Sequence, residues 1–168
     1  FVAAGVGSDA ELMYRTGVAA KERWGRNAYF LEMARMTFRR AYPMFQVEWE
    51  NDAGTRTTHE VSLVMAIRAS RFPGLLRLVK LGSSLEEPAY RLLLFRTDQV
   101  RHFLHYFASV ASGMNWRVPQ VDMVRSRWFR CTPLHEPKIH AQADGELLGR
   151  VPVEVGIADE TVRLLMPE

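Results

Sequence analysis

A single cysteine, Cys131, stands among the 168 residues, which excludes an internal disulfide framework and any cysteine-based zinc cluster. A chain with one thiol fits a reducing compartment, and the location expected from it is cytoplasmic. Long apolar runs are missing as well: no stretch of about 18 apolar residues occurs, so no segment reads as a bilayer-spanning helix. Excess charge is small, with 22 Lys and Arg against 19 Asp and Glu leaving +3, too little to mark a nucleic-acid binder. Neither 11 glycines nor 8 prolines suffice for a collagenous or disordered chain. The G-x-x-x-x-G-K-[ST] phosphate loop is absent, and no internal repeat or low-complexity tract interrupts the sequence. The start has no initiator Met and no basic n-region, and Phe1 to Ala4 are apolar at once. Because untied termini are usually solvated, a further N-terminal portion and a domain boundary just before Phe1 are expected.

What remains is 48% apolar and 24% charged, the balance of one globular domain over residues 1–168. Phe1 to Val6 reads as a strand ending in a glycine turn at Gly5 and Gly7, and Asp9 to Arg15 either continues it or opens a helix. Gly25 to Arg40 repeats Tyr29, Phe30, Met33 and Met36 at helical spacing before Pro43. Phe45, Val47 and Trp49 alternate with Gln46, Glu48 and Glu50, the pattern of a half-buried strand. A turn at 51–54 then leads to a partner strand over Arg56 to Ala69, with Val61, Leu63, Met65 and Ile67 on one face. Arg71 to Pro88 reads as a long connection and Tyr90 to Arg96 as a central strand. Thr97 or Asp98 caps a helix in which Val100, Phe103, Leu104, Phe107 and Val110 or Ala111 recur, stopped by Gly113. Four β-like runs follow, around Val121 to Cys131, Lys138 to Ala143, Val151 to Ile157 and Thr161 to Met166. The expected fold is mainly β with inserted helices (α+β), an antiparallel β-sandwich or a distorted barrel.

Several constellations could carry chemistry, each beside a plainer explanation. Gly5-Val6-Gly7-Ser8-Asp9-Ala10 fits the loose dinucleotide fingerprint, with Glu32 as the downstream acid, or else a strand-turn that needs positive φ. His102 and His105 stand at i, i+3 on the helix, where a metal site could begin or where two ordinary imidazoles could sit. Ser8, His140 and Asp144 supply the residue types of a hydrolytic triad, without a nucleophile-elbow sequence. Arg125, Arg127, Arg130 and Lys138, with Trp128 and Phe129 between them, could meet phosphates or anionic head groups, or form one solvated strand face. Asp144-Gly145 between two β-like runs is first of all a hairpin turn. Asp144 and Glu146 nevertheless place two carboxylates at one strand end, where they could orient a hydroxyl or hold a divalent cation for phosphoryl transfer.

Ile139-His140-x-Gln142-x-Asp144-Gly145-Glu146-x-x-Gly149, followed by Val151-Pro152-Val153-Glu154-Val155 and a closing Val162-Arg163-Leu164-Leu165-Met166-Pro167, resembles the C-terminal end of bacterial diacylglycerol kinases and YegS-like lipid kinases, the superfamily of sphingosine and ceramide kinases. Gly5-Val6-Gly7-Ser8-Asp9-Ala10 resembles the segment opening that family's second domain, and Gly25 with Tyr29 matches the helix that follows. The resemblance implies a two-domain enzyme of which this chain is the lipid-side half. An N-terminal domain with a Gly-Gly-Asp-Gly motif, absent from this chain, would hold ATP and Mg²⁺, so none is expected tightly bound here. It further implies catalytic roles for Asp144 and Glu146, a place for Asp9 near the polar end of the lipid, a diacylglycerol-like or sphingoid-like substrate, and peripheral contact with the inner membrane face. Where relatives carry an Asp-Gly pair that helps build a metal site, this chain has Glu86-Glu87-Pro88, leaving Glu87 as the candidate metal residue. Two other readings stay beside the kinase: a non-catalytic lipid-binding or regulatory module, and a fragment of a dinucleotide-binding oxidoreductase, which requires a parallel sheet.

Overall fold

The computed structural model describes residues 2–15, 42–68, 87–112, 118–135 and 138–158. Ten strands and two helices follow one another along them: β1 (Ala3–Gly7), α1 (Ser8–Arg15), β2 (Phe45–Glu50), β3 (Arg56–Val61), β4 (Leu63–Ile67), β5 (Tyr90–Phe95), α2 (Val100–Ser112), β6 (Val121–Ser126), β7 (Trp128–Pro133), β8 (His140–Ala143), β9 (Glu146–Arg150) and β10 (Val153–Gly156). They form a six-stranded sheet in the order β6-β5-β4-β1-β8-β9 and a four-stranded sheet in the order β10-β7-β2-β3. Every strand pair is antiparallel. The sheets face each other without closing, so the sandwich expectation holds and the barrel does not. A dinucleotide-binding fold needs parallel strands joined by crossover helices, and that reading is discarded among the described residues.

Alternation in the strands explains the layers. Ala4, Val6, Val64, Ala66, Leu92, Leu94 and Ala141 of the large sheet turn inward onto Phe45, Val47, Val61, Phe129, Cys131 and Val155 of the small one, as period-2 side chains do between packed sheets. The Cys131 thiol is fully buried there, and burial pushes its pKa up. The other face of the large sheet collects Leu63, Met65, Ile67, Leu93 and Phe95 under Phe103 of α2, whose ring stacks on Phe95 at 4.5 Å and on Tyr42 at 4.4 Å. Thr97 starts α2, its Oγ1 accepting the Gln99 N–H at 3.0 Å. Leu104, expected on the buried face, is 59% exposed; its neighbour Phe103 is the residue that packs on the sheet there.

Two expected single strands are each broken in two. The run Arg56–Ala69 bends at Ser62, so β3 belongs to the small sheet and β4 to the large one. Val61 therefore faces the space between the sheets, while Leu63, Met65 and Ile67 face α2. Val121–Cys131 does the same at Arg127, with β6 in the large sheet and β7 in the small. Both corners carry a buried serine just where backbone groups leave the ladders. The Ser62 hydroxyl donates to the Thr97 carbonyl at 2.5 Å, and Ser126 Oγ lies 2.6 Å from both the Glu50 and Trp128 carbonyl oxygens. The split also scatters the arginines. Arg125 pairs with Asp52 and Glu87, Arg130 with Glu154, and Arg127 is exposed at the corner, so they do not share one strand face. The expected helix over Gly25–Arg40, the run Thr161–Met166 and all of the connection before Glu87 lie outside the described residues.

Candidate functional site

The site is built where the two ends of the described chain meet on the outer face of the large sheet. β1 and β8 are neighbours there, with Gly5 directly across from Gln142. Since Ala141 packs inward, His140, Gln142 and the turn residue Asp144 fall on the opposite face by period 2, the face that α1 covers. α1 leaves β1 at Ser8 and brings Asp9 and Glu11 back over β8. Two side-chain pairs fasten it. Gln142 Nε2 donates to Asp9 Oδ2 at 2.7 Å, across 133 positions of sequence, and His140 Nδ1 meets Glu11 Oε2 at 2.5 Å, across 129. The imidazole is 4% exposed and lies under the Tyr14 ring, stacked at 4.2 Å. Its Nε2 faces the Arg150 guanidinium at 3.5 Å; an arginine only donates, so Nε2 is the unprotonated nitrogen and Nδ1–H donates to Glu11.

Gly5 makes the first pair sterically feasible. A Cβ at this position would stand 2.1 Å from Asp9 Oδ2 and 2.8 Å from Gln142 Nε2. With hydrogen there, the Asp9 carboxyl sits against the β1 backbone. Its burial raises its pKa above the ordinary value, only partly opposed by the Gln142 bond.

The β8–β9 connection is the hairpin expected from Asp-Gly. Asp144 has φ 49° and Gly145 φ 92°, the left-handed pair that a two-residue turn requires. Both turn residues are held by further hydrogen bonds, Asp144 from outside the hairpin and Gly145 from its β8 strand. The Asp144 carboxylate accepts the N–H groups of Val2 and Ala3, each at 2.9 Å from Oδ1, and the Asp144 N–H donates to the Ala3 carbonyl at 2.9 Å. The Gly145 N–H donates to Gln142 Oε1 at 3.0 Å. Glu146 begins β9 across from Ala143; its side chain is exposed and has no hydrogen-bond or ionic partner among the described residues.

Sequence reasoning named Asp9, Asp144 and Glu146: the structure puts Asp9 in the α1–β8 contact and Asp144 at its edge on the β1 backbone, while Glu146, across from the inward-packed Ala143, does not join it. That reasoning missed Glu11 and Gln142; the signal for Gln142 was its period-2 place within the I-H-x-Q-x-D-G-E run. The other candidates separate. Ser8 Oγ is buried without a partner, His140 turns to Glu11 and Asp144 to the β1 backbone, so these three form no triad. His102 Nδ1 lies 2.9 Å from Thr97 Oγ1, completing the α2 start. Glu87 Oε2 lies 3.7 Å from the Arg125 guanidinium, next to a cleft of about 420 Å³ lined in part by Asp52, Pro88 and Arg125. Among the described residues no three His, Cys, Asp or Glu side chains gather as a metal site.

No family model matches the sequence, and no curated protein matches it. Solved structures do. A crystal structure of a protein assigned as a diacylglycerol kinase from Bacillus anthracis str. Sterne superposes with a TM-score of 0.56 at 13% identity, covering 92% of this chain and 47% of that one. A second, of a diacylglycerol kinase from the same organism, gives 0.54 at 16% identity, with 92% and 48% covered. The fold is therefore that of part of these diacylglycerol kinase-like structures, and the chain spans about half their length.

Proposed function

We propose that this chain is the C-terminal, lipid-side domain of an ATP-dependent lipid kinase of the diacylglycerol kinase type. The observation that carries the reading is the pairing of Asp9 with Gln142 and of Glu11 with His140. The two sequence segments that resemble lipid kinases lie at opposite ends of the chain, and they meet as one surface in a fold shared with diacylglycerol kinase-like structures. In this reading the complete protein is a transferase whose preceding domain holds ATP and Mg²⁺, the ion neutralising charge on the phosphates when bound. This half supplies the acids at the turn. A carboxylate of Asp144 or Glu146 takes the acceptor hydroxyl's proton, the lipid oxygen bonds to the γ-phosphorus, and the bond from that phosphorus to the bridging oxygen of ADP breaks. The protein would act in the cytoplasm at the inner membrane face; among the described residues no helix is long and apolar enough to cross a bilayer.

A second reading rests on one observation, that the Asp144 carboxylate is already engaged by the β1 backbone. It makes the turn a structural clamp and the chain a lipid-binding module without catalysis. Asp144→Asn in the complete protein separates the two. Asparagine keeps one carbonyl oxygen able to accept both N–H groups, so folding is retained, but it cannot take a proton. The kinase reading expects phosphorylation of diacylglycerol by ATP to drop at least about 100-fold, the scale of a lost general base; turnover within twofold of wild type would return Asp144 to the turn alone. The isolated chain is expected to show no micromolar ATP binding by calorimetry, because half a cleft lacks the positioning that phosphoryl transfer depends on.

A further inference from the structure

Gln142 is 8% exposed and spends both ends of its amide inside the site. Nε2 donates to the Asp9 carboxylate at 2.7 Å, and Oε1 accepts the Gly145 N–H at 3.0 Å. The β8–β9 register shifts between Ala141 and Gln142, a bulge of the kind that re-aims a side chain beside a turn. The backbone across from it is Gly5, which has no side chain to intrude. A buried amide satisfied on both sides is a rigid link. From this geometry we infer that Gln142 is a positioning residue: it couples the buried Asp9 to the Asp144-Gly145 turn and sets where that turn stands. Asp9 then acts through Gln142 on the turn and need not touch the lipid, which differs from the role its motif position implies.

The inference deepens the kinase reading and rests on it for its catalytic part, while its structural part stands alone. The test uses the complete protein. Gln142→Met keeps the length of the side chain and removes both hydrogen bonds. Amide exchange in the peptide covering residues 143–147 is expected to quicken at least about tenfold, as local opening of an untethered turn becomes easier. With ATP and diacylglycerol, kcat is expected to fall about tenfold or more while KM for the lipid stays within about twofold, the split that misplacement of a group beside the reacting atoms produces. Gln142→Glu brings two carboxyls to hydrogen-bond distance, where they share one proton. Its kcat is expected to fall as pH rises and that proton leaves, a limb absent from wild type. The isosteric exchange Asp9→Asn with Gln142→Glu restores the pair with amide and carboxyl swapped, and is expected to recover kcat and slow exchange together. It also serves if Gln142→Met does not fold. Wild-type exchange in Gln142→Met, or an exchanged double variant no better than Gln142→Glu, would overturn the inference. A wild-type protein that phosphorylates no lipid would instead overturn the kinase reading, with the exchange measurement still deciding the role of Gln142.

Discussion

Asp9 shows how one side chain can be costly to the fold and central to the site. Its carboxyl is buried against Gly5 and its pKa is raised by desolvation, so the folded state holds a proton more tightly than the unfolded chain does. Stability then falls as pH rises from the unfolded pKa, 3.8, towards the higher folded value, and the penalty is complete above it. Asp9→Asn is expected to raise the unfolding free energy at pH 7, with the gain shrinking to nothing as pH is lowered below 4, by urea titration across that range. An acid whose removal stabilises the fold is kept for another reason, and its bond to Gln142 supplies one. Gly5→Ala tests the same contact from the backbone side: a Cβ 2.1 Å from Asp9 Oδ2 must displace it, and a loss of about 1–3 kcal/mol, typical of overpacking, is expected in the same titration. At this level the sequence was readable where spacing is local. The positive φ of Asp144 and Gly145 follows from their identity, and the alternation of His140, Gln142 and Asp144 is visible in the run. Glu11 was not readable, because its partner His140 lies 129 positions away and no pattern along the chain marks a contact of that length.

Among the elements, the two corners at Ser62 and Arg127 matter most. Each lets one continuous β-like run serve both sheets, and each places a hydroxyl against carbonyl groups that the ladders abandon. Ser62→Ala is expected to cost about 1–3 kcal/mol, the penalty for leaving a buried carbonyl unpaired, and Phe103→Ala about 3–5 kcal/mol, since its ring fills the space between Phe95 and Tyr42; both are measured by thermal or urea unfolding. Strand existence was largely legible, as with Phe45, Val47 and Trp49, which alternate without interruption. The corners were not. A strand that crosses between sheets keeps its period-2 pattern on both sides of the break, so Val61 and Leu63 look like members of one face although they look in opposite directions. Leu104 failed for a related reason: helical periodicity counts apolar residues but does not say how wide a groove the sheet offers.

Across the whole molecule, the antiparallel sandwich brings β1 and β8, far apart in sequence, together in the large sheet and leaves the Glu146 side chain exposed beside the turn, without a hydrogen-bond or ionic partner among the described residues. The Asp144 carboxylate also holds the β1 backbone, whereas the Glu146 side chain is exposed and has no hydrogen-bond or ionic partner among the described residues. The most direct measurement is therefore the transfer of labelled γ-phosphate from ATP to diacylglycerol by the complete protein, comparing wild type with Glu146→Gln after matching their unfolding curves. A catalytic Glu146 predicts that kcat drops by about 100-fold or more with stability unchanged; equal turnover in the two proteins would contradict it.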